Sequence, residues 1–296
     1  MRFRKYHGAG NDFVMLTDLD ARLGPRASLP ADLVSALCDR HKGVGGDGVI
    51  RIVTGDAPAA YYMDYYNADG SAAEMCGNGI RCLVAHELDA GRLDEGEHVI
   101  ATRGRPVTIR TLGRDRITAD MGVPKMQRQD VPMAGTGPSA RVEISHDGQT
   151  LRGSAVSMGN PHLVLFCDEI GRALDDETVL GLGRQLEHHP DFPQATNVEF
   201  VVVENATKLR VRVWERGIGE TLACGSGACA VLAAAAALER TGPHAIVEMP
   251  GGELEAEWEP GGSIWLTGPA ESVFEGEIDE RWLAKRGLTQ HAELVA

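Results

Sequence analysis

Lysine is scarce in this chain, with five in 296 residues. Lys and Arg together number 29 against 43 Asp and Glu, a formal net charge of −14. A surface so short of positive charge excludes nonspecific binding to nucleic acid or to an anionic membrane. None of the five lysines lies in a glycine-rich motif, which argues against a Schiff-base lysine and a phosphate cup for pyridoxal phosphate. No run approaches 18 apolar residues, so no membrane-spanning helix is expected. The first residues, Met1-Arg2-Phe3-Arg4-Lys5-Tyr6, hold no apolar signal core, and a cytoplasmic location is the expectation. The six cysteines (Cys38, Cys76, Cys82, Cys167, Cys224 and Cys229) form no C-x-x-C pair. Cys76-x5-Cys82 and Cys224-x4-Cys229 do not match zinc spacings, so no structural metal is expected. In a cytosolic chain these cysteines stay reduced.

What is present is a repeat. Gly10-Asn11-Asp12-Phe13-Val14 in the first half matches Gly159-Asn160-Pro161-His162-Leu163-Val164 in the second, each reading as strand, polar turn, strand. A helix pattern follows in both. Ala31 to His41 aligns Leu33, Val34, Leu37 and Cys38, and Asp175 to His189 aligns Val179, Leu182 and Leu186. Strand-like runs come next, Val49 to Val53 and Val198 to Val203. Asn67 lies nine residues before Cys76-Gly77-Asn78-Gly79, and Glu215 lies nine before Cys224-Gly225-Ser226-Gly227. From Asn11 to Cys76 is 65 positions, and from Asn160 to Cys224 is 64. Ordered matches of this kind predict two similar domains, residues 1–121 and 122–269. Residues 270–296 are left over and are expected to complete the first. Strands outnumber helices, so an α+β fold with mixed or antiparallel sheets is expected rather than a doubly wound parallel one.

Both Cys-Gly-x-Gly elements open a helix. One predicted helix follows Cys76 and is closed by Gly91. The other is rich in alanine, follows Cys224 and is closed by Gly242. The second is apolar nearly all round and should be buried. A cysteine at a helix N-terminus has a stabilised thiolate, and the unpaired N–H groups of the first turn bind anions such as a carboxylate. Two such elements suggest one cleft with a thiol on each side. That arrangement suits inversion of a stereocentre, with a base on one face of a carbon and an acid on the other.

These segments resemble diaminopimelate epimerase. The resemblance is carried by Lys5 to Phe13, Asn67-Ala68-Asp69-Gly70-Ser71, Cys76 to Cys82, Gly159-Asn160-Pro161-His162, Thr196 to Phe200, and Glu215 to Gly227. It implies pseudo-symmetric domains, each a sheet wrapped around a central helix, with the active site between them. It also implies cofactor-independent interconversion of LL- and meso-2,6-diaminopimelate in lysine and peptidoglycan synthesis, by a homodimer. Carried over by motif, Cys76 and Cys224 are the acid/base pair. Asn11, Asn67, Asn160, Asn197, Glu215 and Arg216 bind substrate, and Gly77, Asn78, Gly225 and Ser226 supply contacts from the helix first turns. His162 and Glu215 position or tune the thiols. One departure is Gly48, which stands where many members carry a substrate-contacting Gln.

Two other readings compete. A related proline or hydroxyproline racemase tends to carry His after its first Cys-Gly, where this chain has Asn78. A thiol redox protein would cycle a disulfide between Cys76 and Cys224. Cys38, Cys82, Cys167 and Cys229 read as small core residues. Gly43-x-Gly45-x-x-Gly48 matches a dinucleotide motif in letters only. A helix precedes it and a strand follows, so it reads as a turn.

Overall fold

The computed structural model describes residues 1–113 and 116–288. The chain divides into two compact units. One comprises residues 1–119 with 268–296, and the other residues 120–267.

The first unit starts with hairpin strands β1 (Arg2–Gly8) and β2 (Asn11–Thr17). Helix α1 (Ala31–Cys38) follows, then β3 (Gly48–Thr54), β4 (Tyr61–Asn67), α2 (Gly77–Asp89), β5 (Gly96–Ala101), β6 (Val107–Thr111) and β7 (Ile117–Asp120). Helix α1 stops three residues before the predicted His41. The Asp39 carboxylate takes the N–H groups of His41 and Lys42 and turns the chain there.

The second unit repeats the scheme. It holds β8 (Val142–His146), β9 (Gln149–Ser157), β10 (Pro161–Phe166), a short α3 (Cys167–Ile170), α4 (Gly183–Glu187), β11 (Asn197–Asn205), β12 (Lys208–Glu215), β13 (Gly219–Thr221), α5 (Gly225–Ala237), β14 (His244–Met249), β15 (Gly252–Trp258) and β16 (Ile264–Gly268). The predicted helix from Asp175 to His189 is a π turn over Glu177–Leu182 running into α4. Val179, Leu182 and Leu186 are buried together as the pattern required. A Cβ on Gly183 would lie 2.8 Å from Cβ of Trp214, so the chain passes tightly against β12 at this join.

After β16 the chain returns to the first unit as β17 (Glu271–Glu277), antiparallel to β1, and α6 (Glu280–Ala284). Residues 289–296 of the expected returning segment lie outside the described residues. With β17 in place the two sheets have the same order. The first runs β17-β1-β2-β3-β4-β5-β6-β7, with β2–β3 and β4–β5 parallel and the other pairs antiparallel. The second runs β8-β9-β10-β11-β12-β14-β15-β16, with β10–β11 and β12–β14 parallel and the rest antiparallel. The two α+β units are therefore pseudo-symmetric, as expected.

Alternation along the strands sorts residues onto two faces. In the first unit Val14, Leu16 and Val49 pack outward on α1 and α6. The other sheet face meets α2, which packs on β17, β1, β2 and β3. In the second unit Leu163, Leu165, Val198 and Phe200 pack outward on the π turn and α4. Helix α5 fills the inside against β9, β10, β11, β14 and β15, and Ala228 through Ala235 are fully buried. Among the described residues no helix is long and apolar enough to cross a membrane.

Candidate active site

Cys76 and Cys224 are the N-caps of α2 and α5. Both are extended, with φ/ψ of −137°/122° and −126°/113°. The first intrahelical bonds reach back to them, Ile80 N–H to Cys76 O and Ala228 N–H to Cys224 O, each 2.9 Å. The amides of Gly77-Asn78-Gly79 and Gly225-Ser226-Gly227 thus have no acceptor within their helices and face the end where an anion would bind. The third residue of each turn passes close over a side chain of the sheet. A Cβ on Gly79 would meet Ile50 Cδ1 at 2.7 Å, and one on Gly227 would meet Glu199 Oε1 at 2.8 Å.

Around Cys76 the polar groups are amides. Its thiol donates to Asn11 Oδ1 at 3.6 Å, and Asn78 Nδ2 donates to the same oxygen at 3.3 Å. Asn11 is pinned from behind, its Nδ2 donating to Asp47 Oδ2 at 2.7 Å. Asp47 also accepts the Asp12 backbone N–H and an Arg40 nitrogen. Arg81, fully buried on α2, donates to Asn78 Oδ1 at 2.5 Å and to Gly77 O at 3.1 Å. Cation, two amides and carboxylate form one directed chain, Arg81 to Asn78 to Asn11 to Asp47. It leaves an acceptor oxygen facing the thiol. Asn67 ends β4 and donates to Ser71 Oγ at 3.0 Å.

Around Cys224 the groups are ionisable. His162 and Glu199 are both fully buried, with Nδ1 and Oε1 2.6 Å apart. His162 Nε2 meets Asn160 Oδ1 at 2.9 Å, Asn160 Nδ2 donates to Ser226 Oγ at 3.3 Å, and that hydroxyl lies 3.5 Å from Cys224 Sγ. Glu215, at the end of β12, accepts from the Thr221 hydroxyl, and its carboxylate acts on the Cys224 thiol through its charge. Burial pushes the Cys224 thiol well above its usual range, and the carboxylates of Glu215 and Glu199 push the same way, against the Ser226 hydroxyl and the Gly227 N–H. Burial likewise raises Glu215, against the pull of the Thr221 hydroxyl and the Cys224 thiol. Asn197 is engaged at both ends, donating to Pro161 O at 2.8 Å and accepting the Arg216 N–H at 2.9 Å. The exposed Arg216 side chain donates to Gln194 O.

The structure therefore gathers Asn11, Gly77 and Asn78 around Cys76. It gathers Asn160, His162, Glu215, Gly225 and Ser226 around Cys224. Asn67, Asn197 and Arg216 stand at strand ends, tied mainly to local backbone and hydroxyl groups. At Gly48 a Cβ would fall 2.4 Å from Tyr66 O and 2.7 Å from the Tyr65 ring, so no side chain fits there. Sequence reasoning missed Asp47, Arg81, Thr221 and Glu199. A usable signal existed for Glu199, a lone acid in the apolar run Val198-Glu199-Phe200-Val201, on the parity that faces α5. The other four cysteines are buried in the core, and burial pushes Cys38 up to about 12.

Comparison with known proteins agrees with this geometry. The sequence profile of the family described as diaminopimelate epimerase matches residues 3–127 and 154–273. The chain is 44% identical over 281 residues to a diaminopimelate epimerase of Synechococcus sp. (strain JA-2-3B'a(2-13)), covering 93% of this chain and 97% of that one. It is 43% identical over 285 residues to one of Moorella thermoacetica, covering 94% and 99%. Among solved structures, a probable proline racemase from Agrobacterium radiobacter K84 shares the fold at a TM-score of 0.69 and 15% identity, covering 94% of this chain and 92% of that one. A hydroxyproline epimerase from Agrobacterium vitis does so at 0.65 and 16%, covering 93% and 91%. At such identities the last two speak for the fold alone. With two helix-capping cysteines in matched units, and sequence likeness over nearly its whole length, this chain belongs to the diaminopimelate epimerase family.

Proposed function

We propose that the protein is a cofactor-independent epimerase that interconverts LL- and meso-2,6-diaminopimelate, a step serving lysine and peptidoglycan precursor synthesis. The observation that carries the reading is the repetition of a cysteine on the N-cap of a buried helix, with a glycine-bounded first turn each time. Amides of these turns hold the α-carboxylate and stabilise the charge that develops as the α-carbon becomes planar. One sulfur, as thiolate, takes the α-hydrogen. The C–H electron pair stays on carbon as a carbanion. The other thiol then gives its hydrogen to the opposite face, leaving a thiolate behind. Each turnover thus exchanges the roles of Cys76 and Cys224, and proton exchange with water resets them.

The surroundings of each sulfur support a division of labour. Asn11 and Asn78 at Cys76, with Asn160 and Ser226 at Cys224, orient substrate carboxylate and amine. Asn67, Asn197, Glu215 and Arg216 complete the binding set. Glu215, whose charge acts on the Cys224 thiol, serves as the group through which that thiol exchanges its proton, and His162 tunes the same site. The family resemblance further supports a homodimer working in the cytoplasm.

The test is to incubate purified, reduced protein with LL-diaminopimelate in D2O and resolve the isomers chirally. The meso isomer should form with one solvent deuteron at the inverted carbon. Cys76→Ala and Cys224→Ala should each lose the general acid–base contribution, about 10²–10⁴-fold in rate. Undiminished epimerisation in both variants would refute the two-thiol scheme.

A further inference from the structure

The Cys224 site contains an ionisable residue with no role in the mechanism so far. Glu199 sits mid-strand on β11, fully buried, one of its oxygens 2.6 Å from His162 Nδ1. Its other oxygen, Oε2, is buried without a hydrogen-bond partner among the described residues. A carboxylate in so apolar a strand costs stability unless something answers it. The matched position in the first unit is Ile50. Phe13 pairs with Gly48 across β2–β3 as His162 pairs with Asn197 across β10–β11, and Ile50 and Glu199 each lie two residues further on. Both side chains sit under the third residue of a cysteine-capped helix. The backbone thus needs no acid here.

Resting on the epimerase reading, we propose that Glu199 is a positioning residue that sets the direction of every hydrogen bond between His162 and Cys224. In this proposal Glu199 is the charged acceptor, so His162 Nδ1 carries a hydrogen. His162 Nε2 faces Asn160 Oδ1, also an acceptor, so it carries one too. With its oxygen occupied, Asn160 turns its Nδ2 to Ser226 Oγ. The serine oxygen then receives a hydrogen bond, and its own hydrogen is left for Cys224 Sγ at 3.5 Å. The donors run from imidazole to amide to hydroxyl to sulfur, and the Ser226 hydroxyl at their end opposes the upward push that burial and the nearby carboxylates exert on the Cys224 thiol. Without the charge of Glu199 the ring has no reason to hold both hydrogens. Nε2 becomes an acceptor, the Asn160 amide turns over, and its carbonyl oxygen faces the first turn of α5 and the substrate carboxylate.

Glu199→Gln keeps size and shape and removes the charge. Its kcat/KM should fall about 10- to 100-fold, the worth of a charge-assisted hydrogen bond. A bracing role that merely held the fold would multiply with other losses. Action through Asn160 would not, so Glu199→Gln added to Asn160→Ala should cost less than about twofold more. Nitrogen-15 NMR of His162, assigned with His162→Phe, should show hydrogens on both ring nitrogens in the wild-type protein and one hydrogen in Glu199→Gln. The wild-type spectrum tests the idea even if the variant does not fold. A wild-type ring with a single hydrogen, a Glu199→Gln enzyme with unchanged kcat and KM, or losses that multiply in the double variant would each overturn the proposal. Both ring hydrogens in a wild-type protein that leaves LL-diaminopimelate unconverted would instead sink the substrate assignment and leave the relay standing.

Discussion

Helices α2 and α5 have the same length, the same cysteine cap and the same place inside their sheets, yet their interiors are inverted. Helix α2 buries Arg81, His86 and Glu87, where α5 has Cys229, Ala234 and Ala235. Beneath the first turns the polarity reverses. Under α2 lie Phe13 and Ile50, and under α5 lie His162 and Glu199. Beneath its first turn the first unit sets a polar helix on apolar side chains, and the second sets an alanine helix on a buried His–Glu pair. A duplicated backbone thus accommodates charged groups in either layer, provided each finds a partner. The consequence is chemical. Cys76 is surrounded by amides, held by ionic groups one step away, and Cys224 lies within the electrostatic reach of two carboxylates, Glu215 and Glu199. An enzyme whose two thiols must hold opposite protonation states gains from that inequality.

The strongest way to break the contrast is to give the second unit the residue found in the first. Glu215→Asn copies Asn67. On the proton-exchange role proposed for Glu215, its loss should slow turnover by about a hundredfold or more. The sign at the thiol is opposite to that of a damaged site. A carboxylate beside Cys224 disfavours the thiolate, so its removal should lower the pH at which Cys224 ionises. The pH dependence of Cys224 alkylation, followed by mass spectrometry, reads this directly. An onset moved to higher pH would show that Glu215 does not act by its charge.

A second exchange concerns the His162–Glu199 pair. Glu199→Ile alone strands His162 in an apolar site and should cost about 3–5 kcal/mol in urea unfolding. The double change His162→Phe with Glu199→Ile reproduces the first-unit pair. It should leave stability unchanged or raise it by about 1–4 kcal/mol while activity is lost. A double variant as unstable as the single would mean that the pair holds the second unit together and that the contrast with Phe13 and Ile50 is not one of function.

A third test uses pH and lies in α2. Burial depresses His86 to about 4. Unfolded, it titrates near the ordinary value of about 6.5. The neutral ring therefore favours the folded state above pH 6.5, and that contribution is lost as pH falls through the window from about 6.5 to 4. The full effect is on the order of 3 kcal/mol. Its counterpart Ala234 titrates nowhere. His86→Phe, stacked on Tyr6 where the imidazole now packs edge-on, should flatten the acid limb of a stability–pH curve. An unchanged limb would assign it to the carboxylates, Asp12 first among them.

Much of this was legible in the residues, for identifiable reasons. The cysteines and their first-turn glycines announce themselves because cap, close approach and chemistry converge on four adjacent positions. The strands could be placed because short runs rich in β-branched residues stand at Val49–Val53 and Val198–Val203. The partners that give each site its direction could not be read. Asp47 and Arg81 act on Asn11 and Asn78 through contacts set by tertiary packing, and nothing local marks an Arg as fully buried. The bare Gly48 follows from the nearness of the Tyr65 ring and Tyr66 carbonyl, which only the β3–β4 register creates. The end of α5 departs from expectation for a related reason. Gly242, the first glycine after the alanine run, reads as the stop, whereas the left-handed residue is Glu239.

That last residue offers the smallest and cleanest comparison. Both helices close with the same pair of bonds. In α2, Gly91 N–H reaches Leu88 O and Arg92 N–H reaches Glu87 O; in α5, Glu239 N–H reaches Ala236 O and Arg240 N–H reaches Ala235 O. The residue between lies fifteen positions after its cysteine in each unit and is left-handed, at φ 65° for Gly91 and 59° for Glu239. A non-glycine residue there costs about 1–2 kcal/mol in the folded state, and a glycine gives back part of that through the freer unfolded chain. Both sites are exposed, and a Cβ at Gly91 would touch nothing within 4 Å, so conformation alone decides the outcome. Glu239→Gly should stabilise by about 0.5–1 kcal/mol, about 1–4 °C in Tm. Gly91→Glu should destabilise by a similar amount, and turnover should change in neither. Equal and opposite shifts would show that the two helix ends are interchangeable where the two helix starts are not. A loss of stability in Glu239→Gly would mean that the glutamate side chain contributes something at the end of α5 that its backbone geometry does not reveal.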